Sequence, residues 1–571
     1  MTVKINGHAS SVLAHPQLRL CDVTLSLRRD GQNITAVNEL SLHIYPGQTL
    51  GLVGESGSGK SMTALSIVNL LPRSASPSLN GSILFDNREL LGISEKEMRT
   101  LRGNQIGFIF QEPSSCLNPL MSVGRQVREV LITHGKVTSK SLYQQVVSLF
   151  QEVGIPEPEE RYHAYPHELS GGQQQRVMIA MALACDPILL IADEPTTSLD
   201  VTIQAQILKL LTRLQMTRQM SMLFISHDLA VIHAVAHHVA VMQQGTIVEQ
   251  GDVLKIFSQP THPYTKALIA CRPELGSKRE RLATLEHSNA DGDGALFTAH
   301  RQIKEKKGAI VLKIDTLNVI FNAKRITKKQ VHAVKAVTME VRSGCTMGLV
   351  GESGSGKTTV GLAVIGLIKA ISGRISLFDR YQHTLTHEQQ KEWKRRCVMI
   401  FQDSQGAMNP RLRVEAILME PLRIIGKIDR QEGRHKILSL LAEVGLQPEH
   451  LRCYPHQLSG GQRQRVCIAR ALALDPDFLI CDEIVSALDV SVQAQILNLL
   501  KDIQQTRNLS MLFISHDLSV VDFMADDIAV MKGGTIVERG ATDDVLRSPQ
   551  QAYTQQLIDA IQLTNLSPYS N

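Results

Sequence analysis

Paired cysteines are missing from this 571-residue chain. Its nine cysteines, Cys21, Cys116, Cys185, Cys271, Cys345, Cys397, Cys453, Cys467 and Cys481, are scattered along the whole length, and no two stand at C-x-x-C spacing. That spread excludes a disulfide framework and reads as reduced thiols in a cytoplasmic protein. Long apolar runs are missing as well. The nearest to a membrane span, residues 223–242, is broken by Asp228 and four histidines, so other chains must cross the bilayer if this one works at a membrane. No N-terminal stretch couples a charged start to an apolar core, which argues against a secretory leader. Nor is there much excess of charge of either sign. The formal net charge is +5, and a nucleic acid partner, which needs a concentrated basic patch, is not expected. What is present, 43% hydrophobic and 20% charged residues, suits an ordinary folded protein.

Length alone suggests three or four domains at about 150 residues each. Internal repetition lowers that to two. GLVGESGSGK occupies residues 51–60 and returns at 348–357; YPHELSGGQQQRV at 165–177 returns as YPHQLSGGQRQRV at 454–466; MLFISHDL at 222–229 returns unchanged at 511–518. The three pairs keep their order, and Lys357 follows Lys60 by 297 residues where His516 follows His227 by 289. This is a duplicated domain. Similarity stops at residues 287–296, HSNADGDGAL, followed by a charged stretch at 300–307; Gly, Asp, Asn and Ser without apolar periodicity mark a flexible join. The expected organisation is a first domain with its tail at 1–285, a linker at 286–308, and a second domain with its tail at 309–571.

Short apolar runs precede the polar motifs, as in Ile188-Leu189-Leu190-Ile191-Ala192 before Asp193 and Met222-Leu223-Phe224-Ile225 before Ser226. Such runs suit strands buried on both faces of a mainly parallel sheet, alternating with helices such as that expected over residues 61–71. The fold class is α/β.

Gly54, Glu55, Ser56, Gly57, Ser58, Gly59, Lys60 and Ser61 match the phosphate-loop pattern, as do Gly351, Glu352, Ser353, Gly354, Ser355, Gly356, Lys357 and Thr358, with Thr359 following. Glycines let the backbone curl so that N–H groups face nucleotide phosphates, and the next helix adds its positive end. Lys60 and Lys357 are expected to reach the β- and γ-phosphates, and Ser61 and Thr358 to offer hydroxyls to Mg²⁺. A Gly-rich turn without function is the rival reading; repetition in the same strand and helix context argues against it. Asp193-Glu194 and Asp482-Glu483 each end an apolar run. The aspartate of each pair suits the magnesium shell, and the glutamate suits polarising an attacking water. Alone such a pair is usually a solvated turn, but a matched place after both phosphate loops gives it weight.

At this point the chain resembles the ABC ATPase family. Leu169-Ser170-Gly171-Gly172-Gln173 and Leu458-Ser459-Gly460-Gly461-Gln462 are similar to that family's signature sequence. The resemblance implies two tandem P-loop NTPase domains, each with a mainly parallel core sheet, an antiparallel subdomain and a helical subdomain. It also implies that the signature residues of one domain close over ATP held by the other, so that the two fused domains replace an ATPase dimer. Gln111 and Gln402 correspond to glutamines that contact magnesium and couple to membrane subunits, His227 and His516 to the histidine at the γ-phosphate, and Asp200 and Asp489 to a loop that communicates across the dimer. A narrower resemblance, to ATP-binding subunits of peptide and nickel importers, rests on Asn118-Pro119 and Asn409-Pro410, on Tyr-Pro-His before each signature, and on tails reading THPYTK at 261–266 and SPQQAYT at 548–554. It implies ATP and Mg²⁺ as cofactors and two integral membrane permeases as partners. An extracytoplasmic solute-binding protein would act indirectly, and the chain would lie peripherally on the cytoplasmic face of the inner membrane.

The expected solute is a peptide or peptide-like molecule, with nickel or a metal chelate as the alternative. The halves differ where DEPTT at 193–197 faces DEIVS at 482–486, which suggests two competent but unequal sites. The tails offer only Cys271, too little for an iron–sulfur cluster. Phe321 is a candidate for stacking on adenine in the second half, and none stands out in the first. His233, His237 and His238 on a probable helix read most simply as a solvated face, since the second half has Asp522, Asp526 and Asp527 there. The four basic residues within 324–329 could touch anionic lipid but lack an amphipathic pattern. Among rivals of other classes, a ribosome-acting tandem ATPase would need a longer, basic, helical linker, a chromosome ATPase heptads or paired cysteines, and an exporter fused membrane spans.

Overall fold

The computed structural model describes residues 15–29, 32–136, 142–197, 199–277, 279–284, 308–322, 330–424, 428–486 and 488–565. The linker, its charged stretch and the basic run within 324–329 therefore lie outside the described residues. Contact density divides the chain into two units, the first comprising Met1–Leu199, Ile203–Ile269 and Leu563–Asn571, the second Asp200–Thr202 and Ala270–Gln562.

In the first unit a six-stranded sheet forms the core, in the spatial order Thr246–Asp252, His238–Gln243, Thr49–Val53, Ser221–Ser226, Leu189–Asp193 and Ile106–Ile109. All neighbours are parallel except the first pair. Thr49–Val53, Leu189–Asp193 and Ser221–Ser226 are buried at every position, which is why their sequences are continuous rather than alternating. A second, antiparallel sheet carries Gln32–Ile44, Leu18–Arg29, Ser78–Phe85 and Arg88–Glu89. Its apolar face joins the central strands in one core that includes Leu20, Leu40, Ile83, Leu52 and Ile191. Helices Val123–Thr133, Leu142–Glu152 and Gly171–Leu183 pack together as a helical layer.

The second unit repeats this plan. Its core sheet runs Cys397–Ile400, Phe478–Asp482, Ser510–Ser515, Thr346–Val350, Asp527–Lys532, Thr535–Ala541. Its antiparallel sheet comprises Gln330–Arg342, Ile310–Asn322, Ser372–Leu377 and Arg380–Tyr381. Contact density cuts the chain earlier than the expected 285, because residues 270–282 lie with this unit. Cys271 and Leu282 enter its apolar core. Asn498, itself buried, pairs with one residue of that segment like a strand neighbour: its Oδ1 accepts from Leu282 N–H at 3.0 Å and its Nδ2 donates to Leu282 C=O at 2.8 Å. Arg281 donates to both carboxylate oxygens of Asp502 at 2.8 and 3.0 Å.

Two local expectations need correction. The helix expected over 61–71 spans Lys60–Ile67. Asn69 takes a left-handed conformation at φ 49°, and Leu70 N–H bonds back to Leu65 C=O, a turn that ends the helix. The three histidines do not share a helix either. Leu229–Val235 is helical, whereas His238 opens a strand and His237 precedes it. The half-buried His237 accepts from Thr49 N–H through Nδ1 at 3.0 Å, and Asp526 accepts from Thr346 N–H at 2.8 Å. Both side chains accept from the backbone N–H that opens a central strand, so a shared role rather than shared solvation explains the exchange of His237 for Asp526.

Candidate active sites

Each phosphate loop leaves a fully buried central strand and enters a helix, Lys60–Ile67 or Lys357–Val364. Gly59 and Gly356 make that entry at φ 104° and 103°, and a Cβ on either would lie 2.4 Å from the carbonyl oxygen of Ala36 or Ala333. Only glycine fits. No side chain caps either helix start, so the first-turn N–H groups are left for an anion. Lys60 and Lys357 are each 4% exposed, and their ammonium groups curl onto their own loops. Lys60 Nζ donates to the carbonyls of Gly54 and Glu55 at 2.7 and 2.8 Å, and Lys357 Nζ to those of Gly351 and Glu352 at 2.6 and 2.9 Å. The Ser58 and Ser355 hydroxyls are buried with no hydrogen-bond partner among the described residues. Both cradles thus hold cationic and N–H donors and a spare hydroxyl, the inventory a phosphate chain needs.

The strand ends bring the acidic pairs beneath these loops. Ser61 Oγ donates to Asp193 Oδ1 at 3.0 Å, and Thr358 Oγ1 to Asp482 Oδ1 at 3.1 Å. Burial pushes both aspartates up to about 6, against the hydroxyl hydrogen bonds. Hydroxyl and carboxylate oxygens in contact form a hard-ligand set suited to a small divalent cation, which would supply the missing positive charge.

Glu194 and Glu483 follow in left-handed conformations, φ 46° and 47°. Each is a strained residue at a strand end, the kind of position where function is stored. Glu194 Oε2 accepts from Gln111 Nε2 and Thr197 Oγ1, both at 2.9 Å, and lies 3.2 Å from His227 Nδ1. Glu483 Oε2 accepts from Gln402 Nε2 at 2.8 Å and lies 3.3 Å from His516 Nδ1, while its Oε1 is 3.7 Å from Lys357 Nζ. Burial alone would raise both carboxyls, but the histidine contacts and the phosphate-loop lysines outweigh it and hold them below the ordinary glutamate value. Burial likewise lowers the Lys357 ammonium, and the Glu483 contact outweighs burial to raise His516. The structure therefore gathers lysine, hydroxyl, aspartate, glutamate, glutamine and histidine in each unit. The glutamines meet the glutamates.

The signature residues open separate helices, one in each unit. Ser170 and Ser459 cap the helices Gly171–Leu183 and Gly460–Leu472, with Gln173 and Gln462 returning the bond to the serine N–H at 3.0 Å. A Cβ on Gly172 would lie 2.8 Å from Ile203 Cγ2, and one on Gly461 2.5 Å from Val492 Cγ1. Those glycines thus allow close packing beside a capped helix start. Phe321, on Ile310–Asn322, is 41% exposed. Thr197 was not foreseen as a partner of Glu194; the DEPTT and DEIVS difference was the available signal.

Residues 37–197 and 334–486 match the ABC transporter family, and 248–295 and 537–565 match the oligopeptide/dipeptide transporter C-terminal region. The chain belongs to the ABC transporter ATP-binding family. It is 44% identical over 550 residues to the peptidoglycan transport ATP-binding protein YejF of Agrobacterium fabrum, covering 95% of this chain and 96% of that one. It is 42% identical over 569 residues to the glutathione import ATP-binding protein GsiA of Pectobacterium atrosepticum, with 97% and 91% covered. The GsiA of Escherichia coli K12 is 42% identical over 574 residues, with 97% and 91% covered. The family ATPase domain occurs twice in this chain, each copy with the phosphate loop and acidic pair just described, so this is a transport ATPase that binds ATP.

Proposed function

We propose that this chain is the energy-coupling subunit of an importer of short peptides or peptide-like solutes. The observation that carries the reading is the peptide-transporter C-terminal region, which recurs after each ATPase domain. The curated relatives point the same way, since glutathione is itself a short peptide and peptidoglycan contains peptide stems. Neither nickel nor a ribosomal role has comparable support. Two permeases would carry the solute across the bilayer, a binding protein outside would deliver it, and this chain would lie peripherally on the cytoplasmic face. Among the described residues no helix is long and apolar enough to span a membrane, which supports a need for separate permeases.

In each site Mg²⁺ would be held by Ser61 and Asp193, or by Thr358 and Asp482, with Gln111 or Gln402 close by through the adjacent glutamate. Bound metal supplies charge neutralisation at the β- and γ-phosphates. Lys60 and Lys357 exchange their own loop carbonyls for phosphate oxygens, a small movement of an already desolvated ammonium. Glu194 and Glu483, kept ionised by their neighbours, accept a proton from the attacking water, and His227 and His516 steady them at the γ-phosphate. Family membership further supports each signature serving ATP held by the other half's phosphate loop, so that binding and hydrolysis alternately close and open the chain. Reconstitution with the neighbouring permeases in proteoliposomes tests the function. ATP-dependent uptake of labelled di- and tripeptides is expected, and uptake of Ni²⁺ in preference to peptide would overturn the solute class.

A further inference from the structure

The two C-terminal tails begin the same way although their first residues differ. In the first, Glu249 on the strand Thr246–Asp252 accepts from Thr261 N–H and Oγ1 at 2.7 Å each and from His262 N–H at 3.1 Å. In the second, Glu538 on Thr535–Ala541 accepts from Gln550 N–H at 2.7 Å and Gln551 N–H at 3.2 Å, with Thr554 Oγ1 also bonded to it. A carboxylate gathering the N–H groups ahead of a helix fixes where that helix starts. The helices are Pro263–Ala270 and Ala552–Asn565, and each places a tyrosine in its first turn. Tyr264 is 5% exposed and Tyr553 7%.

Both tyrosine hydroxyls end on a phosphate loop. Glu55 N–H donates to Tyr264 Oη at 3.2 Å, and Glu352 N–H donates to Tyr553 Oη at 3.2 Å. Glu55 and Glu352 are the second residues of their loops, and their carbonyls are among those the loop lysines hold. One residue of each loop is thus gripped from both sides, by a lysine at its C=O and a tyrosine at its N–H. When phosphate draws the lysine away, the tyrosine grip is the one that stays. Burial holds the Tyr553 hydroxyl up to about 12, so it is a neutral partner at any working pH. The arrangement occurs twice in sequence surroundings that share a proline four residues before the tyrosine, the Tyr-Thr pair itself and the following Leu-Ile.

We propose that Tyr264 and Tyr553 are positioning residues for ATP, through which each peptide-transporter tail holds its phosphate loop open in the curled, phosphate-ready shape. A tail that shifted against its strand would loosen the loop, so the tail is a lever on nucleotide affinity.

The test uses the full chain with Tyr264→Phe, Tyr553→Phe and both together, which keep the rings and remove only the hydroxyls. Two readouts are needed: the dissociation constant of a fluorescent Mg²⁺–ATP analogue, and the melting temperature without nucleotide. Loss of one hydrogen bond of ordinary net strength predicts affinity weakened about threefold to tenfold at the affected site. Each single variant should give a two-phase titration and the double variant a uniformly weak one, with kcat in the permease complex within about twofold of the parent and the melting temperature little changed. Glu249→Gln, which loosens the same tail one step back, should shift the first site in the same direction. Unchanged affinity in the double variant would overturn the proposal. A lowered melting temperature with unchanged affinity would do so too, because it would make the tyrosines packing residues alone.

Discussion

At the scale of single residues the two sites share a plan and differ in how the glutamate is held. Replacing Glu194 and Glu483 together with Gln should leave ATP binding intact and cut turnover by about 10²–10⁴, as expected for loss of a general base; near-parental hydrolysis would remove these residues from that role. The finer difference lies three residues on. Thr197 Oγ1 donates to the Glu194 carboxylate at 2.9 Å, whereas Ser486 Oγ donates to the Glu483 backbone carbonyl at 2.9 Å. A donor on the carboxylate favours its charged form and so lowers its pKa. Removing that donor raises the pKa, and the acid limb of hydrolysis must move to higher pH. In a Glu483→Gln background, Thr197→Val should therefore slow single-turnover hydrolysis about twofold to tenfold and shift that limb upward, and Thr197→Ser should restore both. In a Glu194→Gln background, Ser486→Ala should change neither rate nor limb, because its hydroxyl never faces the carboxylate. An equal response of the two halves would mean that the threonine does not distinguish them.

At the scale of elements, the tails and the bracing segment carry the measurable energetics. Glu249 is held down to about 2 by the neighbouring Thr265 hydroxyl and by hydrogen bonds from Thr261 and His262, which outweigh the opposing effect of burial. A depressed carboxyl stabilises the fold above its unfolded value and loses that contribution as pH falls. The parent should therefore exceed Glu249→Gln in stability by about 1–2 kcal/mol near neutrality, allowing for partial exposure. The gap should shrink as pH drops from about 4.5 toward 2 in pH-dependent denaturation. Asn498→Ala strands both the N–H and the C=O of Leu282 and should cost about 1–3 kcal/mol. Lys209, the corresponding residue of the first half, already departs from asparagine. Much of this level was legible from sequence. Continuous apolar runs marked Leu189–Asp193 and Ser221–Ser226 because a strand covered on both faces has no need to alternate. The phosphate loops and acidic pairs were legible because glycine and carboxylate there have few other uses. Illegible were contacts made by backbone groups, such as Glu55 N–H to Tyr264 and Thr49 N–H to His237. Any residue supplies an N–H, so sequence marks only the acceptor, and His and Asp both serve. The early end of the helix at Ile67 depended on one left-handed asparagine rather than on any change of apolar pattern.

At the scale of the whole molecule, the proposed function makes attachment to the membrane depend on partners. Among the described residues no helix is long and apolar enough to cross a membrane, and the formal net charge is +5. Expressed alone, the chain should leave membranes in a salt wash; with its permeases co-expressed it should sediment with them. Firm attachment without permeases would instead point to direct lipid binding. One side chain stands out as a contact for such a partner. Leu120 is 88% exposed, the highest value among the exposed large apolar residues that the structure describes, and follows Asn118-Pro119 nine positions after Gln111. Asn118 Oδ1 accepts from Leu120 N–H at 3.0 Å, so the leucine is presented on a fixed turn rather than a loose loop. Asn409 makes the same bond to Arg411 N–H at 3.0 Å in the second half, where the presented residue is charged. A fully exposed leucine on a rigid turn gains most by being covered. Leu120→Glu should accordingly reduce co-sedimentation with the permeases several-fold while leaving nucleotide affinity of the purified chain unchanged, since the turn touches no phosphate-loop residue among its described hydrogen bonds. Arg411→Glu separates charge from shape: if it impairs attachment as strongly as Leu120→Glu, the two turns bind their partners by electrostatics, and if it does not, the first half makes the apolar contact. Unaltered sedimentation of Leu120→Glu would place the permease contact elsewhere on the molecule.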